Sequence, residues 1–161
     1  MNVAFEKLSD QARVWIYQSD RKLSDDEVRQ IQEKGNQFSA QWSAHGKGLK
    51  SAVTILYHQF IILSVDETAH AASGCSIDSS VNFIKEIENT YDVKLLDRSL
   101  VAFLKGEDVT TTSFQKIAEE IHSGNIDKST PTFNNTVQTK YDLKNNWLIP
   151  AEKSWLSRYF K

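Results

Sequence analysis

Two apolar runs, Ser51 to Tyr57 (SAVTILY) and Phe60 to Asp66 (FIILSVD), are separated only by His58-Gln59. Both are rich in β-branched and large apolar residues, so each reads as a strand. Strands this close along the chain become neighbours in one sheet, and the spacing predicts a tight antiparallel hairpin. The corner lacks the Gly or Asn usual in such a turn, so one long bent strand is the alternative. Either way the chain is committed to a β-sheet core, and the flanking segments decide what covers it.

Upstream, Ala12 to Gln18 (ARVWIYQ) has strand composition. Ser24 followed by Asp25, Asp26 and Glu27 is a capping box, with acids at the positive end of a helix dipole. Val28, Ile31, Gly35, Phe38 and Trp42 then recur at helical spacing, with Gly35 placed to permit close approach of another element. The loop His45-Gly46-Lys47-Gly48 ends this helix. Downstream, after a loop at Thr68 to Gly74, a second helix is expected near the capping residues Ser76 to Asp78, with Val81, Ile84, Ile87 and Tyr91 on its buried face. Val93 to Leu96 and Leu100 to Leu104 read as further strand material.

The order strand, helix, strand, strand, helix, strand over residues 12–104 matches a ferredoxin-like split βαβ core. The fold class expected is therefore α+β, a mainly antiparallel sheet with helices packed on one face and C-terminal additions over 105–161. In those additions Thr112 or Ser113 caps a short helix (Phe114, Ile117, Ala118, Ile121) stopped by Gly124. The polar stretch Asn125 to Lys140 is an extended arm or an edge hairpin, and Pro150 opens a last helix with Trp155 and Tyr159 on one face. With no repeat or linker, residues 1–161 are expected to form a single domain.

Charge and cysteine usage narrow the function. Nineteen Lys and Arg against twenty-one Asp and Glu give a net charge of −2, with both signs interspersed. No basic stripe suited to a phosphate backbone stands out, so nucleic acid is not an expected partner. The start of the chain shows no secretory pattern, and the apolar stretch around Phe60 to Val65 is far short of a bilayer span, so no membrane span and a cytoplasmic location are expected. One Cys excludes an intramolecular disulfide and a multi-cysteine zinc site.

Three clusters could carry chemistry. Ser73-Gly74-Cys75-Ser76-Ile77-Asp78-Ser79-Ser80 lies between a strand and a helix, where backbone N–H groups favour an anion or a thiolate. Cys75 there is either a nucleophile or a small buried residue among redundant caps. Trp42-Ser43-Ala44-His45-Gly46 offers His45 as a base for Cys75 or as a cap on the helix end. Asp66-Glu67, ending an apolar strand, imitates a Walker B strand. No G-x-x-x-x-G-K-[ST] loop exists to wrap the phosphates, so P-loop ATP hydrolysis is rejected. His70 shares a loop with Cys75, but no H-x-x-x-H or C-x-x-C spacing supports a metal site, and no cofactor is expected. Arg98 is a structural ion-pair partner or an anion ligand.

Val14-Trp15-Ile16-Tyr17-Gln18-Ser19, Trp42 to Gly46, Val65-Asp66-Glu67, Ser73 to Ser80, and Ile149-Pro150-Ala151 with Ser154-Trp155-Leu156 together resemble a family of small uncharacterised bacterial proteins. Its members are often labelled "ABC transporter ATPase". The resemblance spans nearly the whole chain and implies a shared function without supplying catalytic residues. The resulting expectation is a domain that binds a small polar ligand or a protein partner through Trp42, His45, Gly46, Ser73, Gly74, Ser76, Asp78 and Arg98. The alternative is a thiol-dependent enzyme using Cys75 with His45 or His70, and with Asp66 and Glu67 nearby. In a partner-binding protein the C-terminal aromatics would be exposed as one patch.

Overall fold

In the computed structural model, which describes Met1–Lys161, the capping box forms as the sequence predicts. The Ser24 side chain accepts the Glu27 N–H, and the Glu27 carboxylate accepts the Ser24 N–H, closing the start of α1 (Asp25–Gln41). Before it runs β1 (Arg13–Gln18), and after it come two short strands, β2 (Ser43–Ala44) and β3 (Lys47–Gly48). The hairpin expected from the two apolar runs follows as β4 (Lys50–Leu56) and β5 (Phe60–Asp66), paired in register from Lys50 opposite Asp66 to Leu56 opposite Phe60. Its corner takes Tyr57 and His58 into the left-handed region, at φ 56° and 54°. α2 (Gly74–Tyr91) completes this part of the chain.

Contacts divide the chain into two compact units, Met1–Leu96 with Gln138–Tyr141, and Asp97–Val137 with Asp142–Lys161. In the first, the sheet order is β1-β5-β4, all antiparallel neighbours. This is the three-strand part of a split βαβ: α1 links β1 to β4, and β5 inserts between them. One face of the sheet packs on α1 and α2 through Ile31, Trp42, Ile61, Leu63, Val65, Phe83, Ile84 and Ile87. Gly35 is needed there, because a Cβ at that position would sit 2.6 Å from Val53 Cγ1.

The expected fourth strand is corrected. The stretch at 93–96 is not a strand, and β6 (Leu100–Lys105) joins a different sheet. Residues 138–140 take the place beside β1 instead: Val14 N–H donates to Gln138 O, and Lys140 N–H donates to Ala12 O. The physical reason is local. β6 finds a partner in β7 (Asp108–Ser113) across a two-residue turn containing Gly106 at φ 65°, and so short a loop closes at less entropic cost than a crossover.

The second unit builds a sheet of order β7-β6-β8-β9, with β8 at Pro131–Phe133 and β9 at Leu148–Pro150. Phe103, Ile117, Ile126, Ala151 and Leu156 form its hydrophobic cluster. α3 (Ile117–His122) ends before Gly124, as expected, whereas residues 131–133 within the polar stretch are a sheet-forming strand. α4 (Lys140–Asn145) starts in the first unit and finishes in the second. Pro150 closes β9 instead of opening an α-helix, and the chain finishes in 3-10 turns at Ala151–Lys153 and Trp155–Phe160. The molecule is thus α+β with mainly antiparallel sheets, and no helix is long and apolar enough to cross a membrane.

Candidate functional site

α1 and α2 run antiparallel. The Trp42 indole at the end of α1 donates to Ser76 O in the first turn of α2 (2.8 Å), and Tyr91 at the end of α2 donates to Gln30 Oε1 (3.1 Å). The apolar side of each helix faces the sheet, which leaves a groove of about 440 Å³ along their outer seam. Phe38 and Phe83 form its floor as a stacked pair, ring centroids 4.5 Å apart and planes 15° from parallel. Phe38 also meets Trp42 (5.1 Å), and Trp42 meets Trp15 (6.0 Å), so an aromatic row continues from the floor into the core. A recess of about 210 Å³ lined by Phe38, Gln41, Trp42, Ser43 and Ser79 extends the groove to the start of α2.

The walls are polar. Lys34, Gln37 and Gln41 line the α1 side, and Ser79, Asn82, Glu86 and Thr90 the α2 side. The lysine and the glutamate come from opposite helices, so the groove carries both signs and no net charge. Lys34, Gln37, Gln41, Asn82, Glu86 and Thr90 spend no side-chain atom on an intramolecular hydrogen bond or ion pair. Elsewhere on α1, Gln32 donates to Val53 O and to Asn36, and Gln30 accepts from Tyr91.

The three sequence clusters border one pair of strand ends along the chain. β4 begins at Lys50, opposite Asp66 at the end of β5, and the short β2–β3 hairpin and the start of α2 flank that pair in sequence. Most of their side chains are engaged locally. Buried Asp66 accepts the Thr68 hydroxyl (2.7 Å) and N–H (3.0 Å) and the Ser9 N–H, with Lys50 Nζ at 3.9 Å. The Thr68 hydrogen bonds hold its carboxyl below the usual range. Glu67 closes the following loop by accepting the Ala72 N–H at 2.8 Å. Both members of the Walker B-like pair are therefore turn-forming groups.

The cap of α2 is Ser73, not Ser76 or Asp78. Ser73 accepts the Ser76 N–H, and Ser76 Oγ accepts the Ser73 N–H. Gly74 and Cys75 are consequently the first helical residues, and Cys75 is exposed. Asp78 is exposed further along α2. His45 is not at the end of α1, which stops at Gln41. It occupies the β2–β3 turn with Gly46, at φ 52° and 78°, the signs a type I′ hairpin demands, and its ring is exposed. Neither His45 nor His70 hydrogen-bonds to the Cys75 thiol. No three His, Cys, Asp or Glu side chains cluster as a metal site requires. Arg98 is exposed in the second unit.

Of the predicted ligand residues, Trp42 alone lines the groove. The sequence reading missed the rest. A signal existed: positions 34, 37 and 41 and positions 79, 82, 86 and 90 recur at three and four residues, a polar stripe on each helix beside Phe38 and Phe83. Comparison with protein-family models, curated proteins and solved structures finds no match to this chain.

Proposed function

We propose that the chain is a binding domain that holds a small, polar ligand of no net charge in the α1–α2 groove. The observation that carries this reading is the convergence of unengaged amides, a hydroxyl, one ammonium and one carboxylate over an aromatic floor. Such a mix suits a ligand with donors and acceptors on its edge and a face or methylene surface to lay on Phe38 and Phe83. Lys34 and Glu86 favour a zwitterion or a neutral polyhydroxyl compound over a polyanion. Trp42, bonded to Ser76 O, lines the recess at the end of the groove beside the start of α2.

The reading assigns a reducing, cytoplasmic setting, in keeping with one exposed thiol and no partner cysteine. It also makes the chain a non-catalytic member of the bacterial family it resembles, because Asp66 and Glu67 are consumed by Thr68, Ser9 and Ala72.

The test is an amide-resolved NMR titration with neutral sugars, free amino acids and nucleosides at millimolar levels. We expect one class to shift amides of α1 and α2 around Gln37 and Asn82. Gln41→Ala and Asn82→Ala should each weaken that binding about five- to twentyfold, as expected for losing one desolvated hydrogen bond. Shifts confined to other surfaces, or binding indifferent to both substitutions, would overturn the assignment.

A further inference from the structure

Of the four edges of the two larger sheets, three carry some guard. In the first sheet, β1 is flanked at its start by residues 138–140, and β4 is flanked at Ser51 by the N-terminal segment, with Val3 N–H donating to Ser51 O and Ser51 N–H to Met1 O. In the second sheet, β9 is three residues long and contains Pro150. β7 differs. It is six residues long, contains no Pro and no Lys, is free of bulges in its register with β6, and receives no backbone hydrogen bond on its outer side. Open edges of this kind are templates for strand pairing, and chains normally guard against it with Pro, Lys or bulges.

We propose that β7 is a self-association edge, pairing antiparallel with β7 of a second copy of this chain across a two-fold axis. The register follows from the ladder. Phe114 N–H donates to Ser99 O, and antiparallel bonding alternates, so Thr112, Thr110 and Asp108 point their backbone groups at β6. Val109, Thr111 and Ser113 therefore present N–H and C=O outward. An antiparallel copy centred on Thr111 sets Thr111 against Thr111 and Val109 against Ser113, and every outward donor and acceptor of those residues finds a partner. Thr110 then lies beside Thr112 of the copy, a favourable cross-strand pair.

Charge selects this occupant over an arbitrary strand. One end of β7 is acidic, with Glu107 and Asp108 at the turn. The other runs into Phe114 and Lys116, and Phe114 stacks on Trp155 (5.7 Å) while Arg158 lies over the rings of Trp155 and Tyr159. Phe114 and Trp155 are 49% and 47% exposed, a large apolar surface left open at the end of an unguarded strand. The two-fold register lays the acidic end of each copy beside the aromatic, cationic end of the other, and no like charges face one another within the strand. The two four-stranded sheets become continuous. This inference is independent of the groove, which belongs to the other unit.

An edge of this length buries less than the ~1,200–2,000 Å² of a standard interface, so the dimer is weak. Sedimentation velocity on the full chain should therefore span roughly 1 µM to 1 mM and show monomer passing to dimer across that range. Thr111→Pro removes the central outward N–H while leaving every β6–β7 bond in place, and should raise the dimer Kd about tenfold or more. Thr111→Lys provides a second blocking variant should the proline perturb folding. Glu107→Lys should weaken the dimer, and adding Lys116→Glu should restore it. A chain that stays monomeric to the top of the range, or a dimer unmoved by both Thr111 variants, overturns the proposal and leaves β7 to a different strand.

Discussion

Gly35 sits in the third turn of α1, where glycine costs helix stability of roughly 1 kcal/mol relative to alanine. The position is tolerable because the sheet approaches there: a Cβ would lie 2.6 Å from Val53 Cγ1 and 2.7 Å from Val53 Cβ, and neither atom is the flexible end of a long side chain. Gly35→Ala should therefore destabilise the chain by about 1–3 kcal/mol in urea unfolding, despite its gain in helix propensity. Val53→Ala on its own leaves a cavity; combined with Gly35→Ala it removes the Cγ1 contact but keeps the Cβ 2.7 Å away, so the two costs should be only partly less than additive. Strict additivity would mean that α1 shifts to accommodate the new methyl. The same local logic explains the β4–β5 corner. Tyr57 and His58 take positive φ without being glycine, and the corner is tied down by neighbours: Leu23 N–H donates to His58 O, Ser19 N–H to Gln59 O, and His58 Nε2 lies 2.8 Å from Asp25 Oδ1. These ties span tens of residues, which is why the corner lacked a recognisable turn signature.

At the level of elements, the start of α1 is tied through Arg21 both to its own first turn and to the end of α2. Arg21 reaches Glu27 with both terminal nitrogens (2.8 and 2.7 Å), and Arg21 Nη2 also donates to Tyr91 O at 2.7 Å, joining the start of α1 to the end of α2. The Arg21 hydrogen bonds, reinforced by the Ser24 N–H, lower the Glu27 pKa to about 2 from an ordinary 4.5. The unfolded chain thus binds a proton at Glu27 more readily than the folded one. Its stabilising contribution is complete above pH 4.5, declines as pH falls through the interval between the two values, and is gone below about 2. Melting temperatures measured from pH 6 to pH 2 should show Glu27→Gln below the parent chain at neutral pH, with the gap closing in that acid interval. A gap that stays constant would mean the carboxylate acts only as a neutral hydrogen-bond acceptor.

That helix start was legible in the sequence because a capping box is contained in four consecutive residues. β5 was legible because Phe60 to Val65 is an almost unbroken apolar run, and all seven residues of the strand prove to be buried. β8 was not: Pro131-Thr132-Phe133 is too short to carry a period, and it becomes a strand only through pairing with Phe103 and with β9. The groove failed for a related reason. A stripe of Lys, Gln, Asn and Glu on one helix is ordinary solvent-facing surface, and it becomes a wall only when a second helix with its own stripe packs antiparallel beside it. His45 and Cys75, conspicuous as residue types, turned out to lie in a hairpin turn and in an exposed first helical turn respectively.

For the whole molecule, the decisive feature is how the chain returns to its beginning. Residues 138–141 belong with the first unit although they are more than forty residues beyond Leu96. Their backbone supplies the ladder beside β1, and Lys140 supplies a buried tether: its ammonium donates to Glu6 O (3.0 Å) and Leu8 O (2.8 Å) and lies 5.1 Å from the Phe5 ring centroid. Two carbonyls and a ring face use up the three N–H donors of this 5%-exposed residue, and no carboxylate pairs with it. Lys140→Met keeps the aliphatic stem but leaves the two carbonyls without donors, a loss of about 1–3 kcal/mol. Because the tether serves one edge, the loss should be local in hydrogen exchange. The amides of Val14, Lys140 and Tyr141, bonded across that edge to Gln138, Ala12 and Asp10, should exchange faster, while those linking β4 to β5 stay protected. Uniform acceleration across both sheets would show instead that the returning segment is part of the global folding unit, so that the fourth position of the split βαβ sheet has to be filled before the other three strands are stable.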